Sequence, residues 1–273
     1  MLCQRFRGFT PPATACRPDG AEETAAYLLF CLGRARLKYH YIICASVVRS
    51  ELLMTAHGLF IAGTDTDVGK TYVTALIARQ LVAEGKNIGA YKPAASGCSF
   101  DEKDDPYVLW DAAGKSGDLE HVCPQRFAAP LAPHLAARAE GREVDAELLR
   151  SGLEYWRDRC DIVLVEGVGG LMSPLTDDDY VADLAWDFGF PLVVVAPNVL
   201  GVINQTLQTL ITAATFRDGL DVAGIVLNQT LAKANDNSNR DELATRCVPP
   251  ILTTLRRNAD AFDRRVDWMG LTD

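Results

Sequence analysis

Nine residues near the start of this chain's main body carry the sharpest chemical signal. They read Gly63-Thr64-Asp65-Thr66-Asp67-Val68-Gly69-Lys70-Thr71. An apolar run, residues 58–62 (GLFIA), precedes them, and a helical pattern with Val73, Leu76, Ile77 and Leu81 on one face follows. A strand, a loop with glycines at both ends, Lys-Thr and a helix start together make a phosphate cradle. Backbone N–H groups and a helix N-terminus face the anion. Lys70 then reaches the β/γ oxygens as a point charge, and the Thr71 hydroxyl is placed to ligate Mg²⁺. The spacing departs from the common form: the first glycine sits six residues before Gly69 rather than five, and Thr64 takes its usual place. This segment therefore predicts binding of a nucleoside triphosphate, ATP with Mg²⁺.

Other chemistry-bearing residues fall at the ends of apolar runs. Glu166 closes residues 161–165 (DIVLV), where an unpaired carboxylate is costly to bury and Mg²⁺ is a natural partner. Its alternative is a structural carboxylate capping the glycines that follow. Lys92 ends a short run at residues 87–91 and points to the same edge, where a second lysine stabilises charge developing during phosphoryl transfer. Its alternative is a solvated surface lysine. Asp104 and Asp105 lie in an acidic run, residues 101–105, and spacing alone leaves a metal role, an N-cap and a solvated face open. His134 stands in a Pro-punctuated stretch, APLAPH (129–134), and a lone histidine is more often structural. Asn204 and Asn228 follow strand ends and are weak signals singly.

These residues need a scaffold that brings strand ends together. Strands are expected at residues 58–62, 87–91, 161–165, 191–196 and 222–227. Helices are expected after Thr71 to a Gly85 C′ position, at 107–113, 145–157, 180–188, and from a Gly201 turn to about Phe216. From Ala232 onward the chain reads as polar and then irregular. Short apolar strands alternating with longer helices predict an α/β fold, a parallel sheet covered by helices on both faces, of the P-loop NTPase type. Ligands of such sheets bind beyond the carboxyl ends of the strands, so the polar clusters should converge on one edge.

Composition sets the frame. The chain has 273 residues, 48% apolar and 23% charged, enough for a sizeable core without staples. A net charge of −9 argues against nucleic-acid binding. Eight cysteines show no C-x-x-C pair or zinc spacing and read as reduced thiols of a cytoplasmic protein. No run of about 18 apolar residues points to a membrane span. Residues 1–53 differ from the rest, with four of the eight cysteines and an Arg- and Pro-bearing mixture. They read as an extension, disordered or from a mis-assigned start, with a single functional domain over 54–273 that begins near Met54.

The motifs together resemble one family. GTDTDVGKT (63–71), YKPAASG (91–97), APLAPH (129–134), VEGVGG (165–170) and LGVIN (200–204), in this order, are similar to the dethiobiotin synthetases over roughly residues 55–252. The first two strings are the specific ones; VEG-x-GG is shared with amidotransferase-like synthetases. Residues 1–53 lie outside the resemblance, and no counterpart of the family's closing segment is evident beyond Pro249-Pro250. The resemblance implies an ATP-dependent cyclo-ligase of biotin biosynthesis that forms dethiobiotin, ADP and phosphate from 7,8-diaminononanoate, CO₂ and ATP.

It further implies that Lys70 and Lys92 are catalytic and that Thr71, Asp105 and Glu166 hold Mg²⁺, with Asp105 preferred to Asp104. Thr66, Asp67, Val68, Gly69, Lys70, Thr71 and Asn228 would hold the nucleotide, Asn228 at the adenine. Ser96 would lie against the diamine. A homodimer is implied, with Gly201, Val202 and Asn204 of the partner copy holding the substrate carboxylate at the interface. Two rival readings are weaker. A ParA- or MinD-like ATPase switch carries an extra lysine early in the loop, where this chain has Asp65. The cobyrinate-type synthetases add a glutaminase domain that 273 residues cannot hold.

Overall fold

A computed structural model describes residues 57–231 and 238–272. The expected extension, residues 1–53, and Met54 lie outside the described residues.

The elements run β1 (His57–Gly63), α1 (Lys70–Ala83), β2 (Ile88–Tyr91), β3 (Ala94–Ala95), α2 (Asp105–Ala112), α3 (Leu119–Val122), β4 (Gln125–Arg126), α4 (Pro133–Ala139) and α5 (Ala146–Ser151). A 3₁₀ turn (Gly152–Trp156) leads to β5 (Ile162–Gly170), α6 (Val181–Phe188), β6 (Leu192–Pro197), α7 (Val202–Thr215), β7 (Val222–Asn228), α8 (Ser238–Arg246) and β8 (Ile251–Leu255). Six strands form one sheet in the order β2-β5-β1-β6-β7-β8, with every pair parallel. Consecutive residues of β1, β5 and β6 are buried. Alternate side chains of a strand point to opposite faces, so both faces of the sheet are covered, as the near-continuous apolar runs required. The chain leaves β1 toward β2 on one side, and from β6 it proceeds to β7 and β8 on the other. β1 therefore marks the switch point where a crevice opens beyond the strand ends.

Local chemistry explains the boundaries. α1 stops at a Glu84 C-cap, and Gly85 follows at φ +81°, with Lys86 N–H returning to Leu81 O at 3.0 Å. β5 is longer than expected. It continues through Gly167–Gly170, with Ile61 opposite Glu166 and a register shift before Gly63 meets Gly170. Glycine is what permits this, because a Cβ on Gly167 would stand 2.9 Å from Val181 Cγ1. The helix expected over 145–157 is instead α5 plus the 3₁₀ turn. Tyr91 packs against Gly152, where a Cβ would meet its hydroxyl at 2.4 Å, and that hydroxyl donates to Leu149 O at 2.9 Å. α2 starts two residues before the expected 107, because Pro106 fits a first helical turn. α4 likewise starts on Pro133, so the expected loop ends at Ala132 and His134 is helical.

The largest correction concerns the C-terminal region. It holds α8 and β8, and β8 extends the sheet beside β7; residues 256–272 are irregular except for a 3₁₀ turn at Met269–Leu271 and fold back onto α1. Tyr72 Oη donates to Ala259 O, Gln80 Nε2 to Val266 O at 2.8 Å, and Trp268 Nε1 to Gln80 Oε1 at 3.1 Å. Trp268 is buried and stacks at a tilt on Phe262. Truncating such a side chain to alanine costs about 3–5 kcal/mol. Cys98, Cys123, Cys160 and Cys247 are free thiols, and burial pushes Cys123 up to about 12. No helix among the described residues is long and apolar enough to cross a membrane.

Candidate active site

The loop after β1 is shaped by backbone needs first. A Cβ on Gly63 would sit 2.7 Å from Asp65 O, so the first glycine serves the loop's own closure. Thr64 N–H is tied to Val195 O at 3.0 Å and Thr66 N–H to Asp65 Oδ1 at 2.7 Å. Asp67 and Gly69 both take left-handed backbone, at φ +58° and +91°. At Gly69 a Cβ would meet Asn228 Nδ2 at 2.1 Å, so only glycine fits. Val68 is buried, while Thr66 and Asp67 are exposed on the loop. Lys70 opens α1 and is buried, its ammonium resting on Asp65 O at 3.0 Å.

Asn228, at the end of β7, is buried and donates to Val68 O at 3.0 Å. The side chain expected at the adenine thus also braces the phosphate loop. The glycines of β5 turn beside the loop, Gly170 pairing with Gly63. Gly169 lies at φ +69°, with space for its absent Cβ taken by Ser173 Oγ, which accepts from Gly170 N–H at 2.9 Å. Ser173 escaped the sequence reading because nothing in its spacing marks it. Neither did anything mark Tyr72, whose hydroxyl anchors the first turn of α1.

Beside the loop, four side chains from four elements meet. Lys92, just past β2, puts its ammonium 2.6 Å from Glu166 Oε1 and 3.0 Å from Asp105 Oδ2. Thr71 Oγ1 donates to the same Glu166 Oε1 at 2.7 Å. Glu166 is fully buried and Lys92 nearly so, while Asp105 is half-exposed. Burial alone would push the Lys92 ammonium down, but Glu166 and Asp105 overcome it and hold it above the ordinary lysine value. Burial would raise the Asp105 carboxyl, yet Lys92 holds it below the ordinary carboxylate value. Lys70 is lowered, mainly by burial, with Glu166 opposing and Lys92 adding.

The two neighbouring aspartates have different partners. Asp104 is at the N-cap of α2, but its carboxylate accepts from Ser99 N–H at 3.0 Å, Ser99 Oγ at 2.6 Å and Phe100 N–H. It ties down the loop ahead of the helix. Asp105, one residue on, reaches Lys92.

These residues suit a Mg²⁺ ion. Glu166 Oε2 is buried and has no hydrogen-bond partner, an expensive arrangement that a cation would relieve. Among the described residues no group of three or more His, Cys, Asp or Glu forms a cage. Two carboxylates and a hydroxyl match an ion that takes few protein ligands and completes its shell with phosphate oxygens and water.

The other expected residues lie on neighbouring elements. Ser96 is half-buried just past β3, and Gly97 N–H joins Ala129 O at 3.0 Å, which brings the 91–97 and 129–134 strings together. Gly201 caps α7 at φ +96°; Val202 is buried and Asn204 exposed in its first turn. That turn follows β6, on the opposite side of β1 from β2. His134 lines a separate groove with Arg138, Thr176 and Asp177.

Comparison with known proteins agrees with this geometry. The family described as an AAA domain matches residues 57–261. The ATP-dependent dethiobiotin synthetase of Rhodopirellula baltica is 38% identical over 215 residues, covering 72% of this chain and 83% of the relative. That of Anaeromyxobacter dehalogenans is 47% identical over 173 residues, covering 63% and 77%. Among solved structures, a ParA family ATPase from Chlorobium tepidum matches at TM-score 0.46 and 15% identity over 75% of this chain and 87% of that one. A likeness that loose carries no functional argument. The strand-end cluster, the phosphate loop and the relatives agree, and the chain belongs to the ATP-dependent dethiobiotin synthetases.

Proposed function

We propose that this protein closes the ureido ring of dethiobiotin from 7,8-diaminononanoate, CO₂ and Mg²⁺-ATP, in the cytoplasm and as a homodimer. The convergence of Lys70, Thr71, Lys92, Asp105 and Glu166 beyond the ends of β1 and β2 and at the middle of the long β5 carries this reading.

One substrate amine adds to CO₂, forming an N–C bond and losing a proton, to give a carbamate. The γ-phosphoryl passes to a carbamate oxygen and ADP leaves. The second amine then attacks the carbamoyl carbon and loses a proton as the second C–N bond forms, the C–O bond to phosphate breaks and phosphate departs. No protein nucleophile is needed, so the enzyme's work is positioning and electrostatics. N–H groups of residues 67–71 and the α1 N-terminus hold the β- and γ-phosphates, with Thr66 beside them on the loop. Lys70 rests over the loop, where it neutralises charge on the transferring group, and Lys92 faces the carbamate from the neighbouring strand. Thr71, Asp105 and Glu166 hold Mg²⁺, which supplies charge neutralisation for the triphosphate. Asn228 serves the nucleotide side and Ser96 the diamine. Gly201, Val202 and Asn204, at the positive end of a fourteen-residue helix, suit the substrate carboxylate of the partner copy's site.

Purified protein given the diamine, bicarbonate, Mg²⁺ and ATP is expected to release ADP and dethiobiotin together. ATP turnover indifferent to the diamine would defeat the proposal. A chain begun at Met54 is expected to keep the activity within about twofold, since the family match begins at residue 57; loss of activity would assign residues 1–53 a role in it.

A further inference from the structure

Every group assigned above to Mg²⁺ is engaged, directly or through one shared oxygen, by a single ammonium. Lys92 Nζ bonds Glu166 Oε1 at 2.6 Å and Asp105 Oδ2 at 3.0 Å, and Thr71 Oγ1 bonds that same Glu166 oxygen at 2.7 Å. The ammonium therefore bridges the two carboxylates that would otherwise share a metal. Burial makes the bridge consequential, because Glu166 is 0% exposed and Lys92 4%. Water cannot replace either partner, so Lys92 leaves Glu166 only if another cation arrives and the ammonium finds another anion.

The charge balance sharpens this. Lys92 feels both Glu166 and Asp105, Asp105 feels both lysines, and Lys70 feels Lys92, both carboxylates and the exposed Asp67. Within the cluster itself two ammonium groups and two carboxylates cancel, with Asp67 lying outside it on the exposed loop. A divalent ion entering alone would leave a buried excess of positive charge with no new anion to meet it. A triphosphate changes the balance: its oxygens give both lysines new partners and free the carboxylates. Glu166 Oε2, buried without a hydrogen-bond partner, stands ready in advance.

We infer that Lys92 is an internal stand-in for the metal, holding Asp105 and Glu166 in the nucleotide-free enzyme so that a divalent cation enters only with the nucleotide. This rests on the assignment of Thr71, Asp105 and Glu166 as the metal ligands. It gives Lys92 two posts: on the carboxylates before ATP binds, and toward the carbamate afterwards. It also shields the empty enzyme from capture by adventitious divalent ions.

The test titrates full-length, nucleotide-free protein with Mn²⁺ and reads free ion by electron paramagnetic resonance. Wild type is expected to show no saturable binding below about 1 mM, whereas Lys92→Gln binds at least about tenfold more tightly. Melting gives a second readout. Lys92→Gln, left with two unbridged carboxylates, is expected to melt early and to recover on adding Mn²⁺ without nucleotide; wild type is expected not to move. Saturable sub-millimolar binding to nucleotide-free wild type overturns the inference, even if Lys92→Gln does not fold. So does a folded Lys92→Gln with no gain in Mn²⁺ affinity. A parallel titration with a non-hydrolysable ATP analogue compares wild type with Glu166→Gln. If Glu166→Gln loses Mn²⁺ there while the Lys92 arm fails, the metal assignment stands and the stand-in falls. If Glu166→Gln keeps Mn²⁺, both fall.

Discussion

Two charge clusters of this molecule invite comparison. The first is Lys92 with Glu166 and Asp105 beside the phosphate loop. The second joins α5, the 176–179 loop and α6: Arg150 Nε donates to Asp187 Oδ2 at 2.7 Å, its Nη2 to Asp179 Oδ1 at 2.8 Å and its Nη1 to Ala146 O at 3.0 Å. Arg217 adds Asp183, and its guanidinium lies over the Trp186 ring. No buried polar atom of the second cluster lacks a partner, whereas the first leaves Glu166 Oε2 bare. A polar network whose groups are all paired holds structure, because any loss exposes an unpaired group. A carboxylate oxygen buried bare beside a phosphate loop has room for a cation. Both clusters are acid–base pairs by inspection; burial and the orphaned oxygen tell them apart, since Arg150 and Arg217 reach solvent whereas Lys92 and Glu166 do not.

The comparison breaks most sharply at Lys70. Lys70→Gln is expected to cut diamine-dependent ADP release by about 10²–10³-fold, the usual loss when one charge-stabilising donor goes. Its melting temperature should stay close to wild type; a normal rate would remove Lys70 from the mechanism. The adjacent aspartates offer the next test. Asp105→Asn is expected to lower turnover by about 100-fold with little change in melting, as loss of a metal-site carboxylate does. Asp104→Asn should do the reverse, costing about 1–2 kcal/mol of stability through the freed N–H groups of Ser99 and Phe100. Equal kinetic effects at the two positions would erase the distinction drawn here.

The smallest effects belong to the complete network. Arg150→Met should lower stability by about 2 kcal/mol and leave turnover at 25 °C nearly unchanged. Its pH dependence has a definite sign. Burial would raise the Asp179 carboxyl, but Arg150 and Thr176 hold it below the ordinary value. A depressed folded value adds stability above about pH 4 that is lost as pH falls through it. The melting gap between wild type and Asp179→Asn should thus be flat from about pH 7 to 5 and close below about pH 4. Asp187 is raised, chiefly by burial against the pull of Arg150, so its contribution has the opposite sign and declines as pH rises through its folded value. A gap that widened in acid would reverse the assignment of the Arg150–Asp179 pair.

Much of this was legible in the residues because it is local. The GTDTDVGKT spacing implied a strand, a turn and a helix start, and glycine alone meets its backbone demands at Gly63 and Gly69. Period and apolar runs implied a parallel sheet covered on both faces, and sheet chemistry then placed the polar clusters at one edge. What the residues left open depended on contacts far along the chain. Lys92 meets Glu166 across 74 positions and Asn228 meets Val68 across 160. Between Asp104 and Asp105, only the path of the 99–104 loop decides which carboxylate is consumed by backbone and which turns to Lys92. The closing segment read as irregular because its order comes from α1, with Tyr72 meeting Ala259 across 187 positions. Sequence by itself determined the phosphate cradle and the class of sheet, since both follow from neighbouring residues and their backbone preferences. Tertiary structure alone decided which charges meet and which oxygen is left without a partner, since burial and pairing are properties of the packed chain.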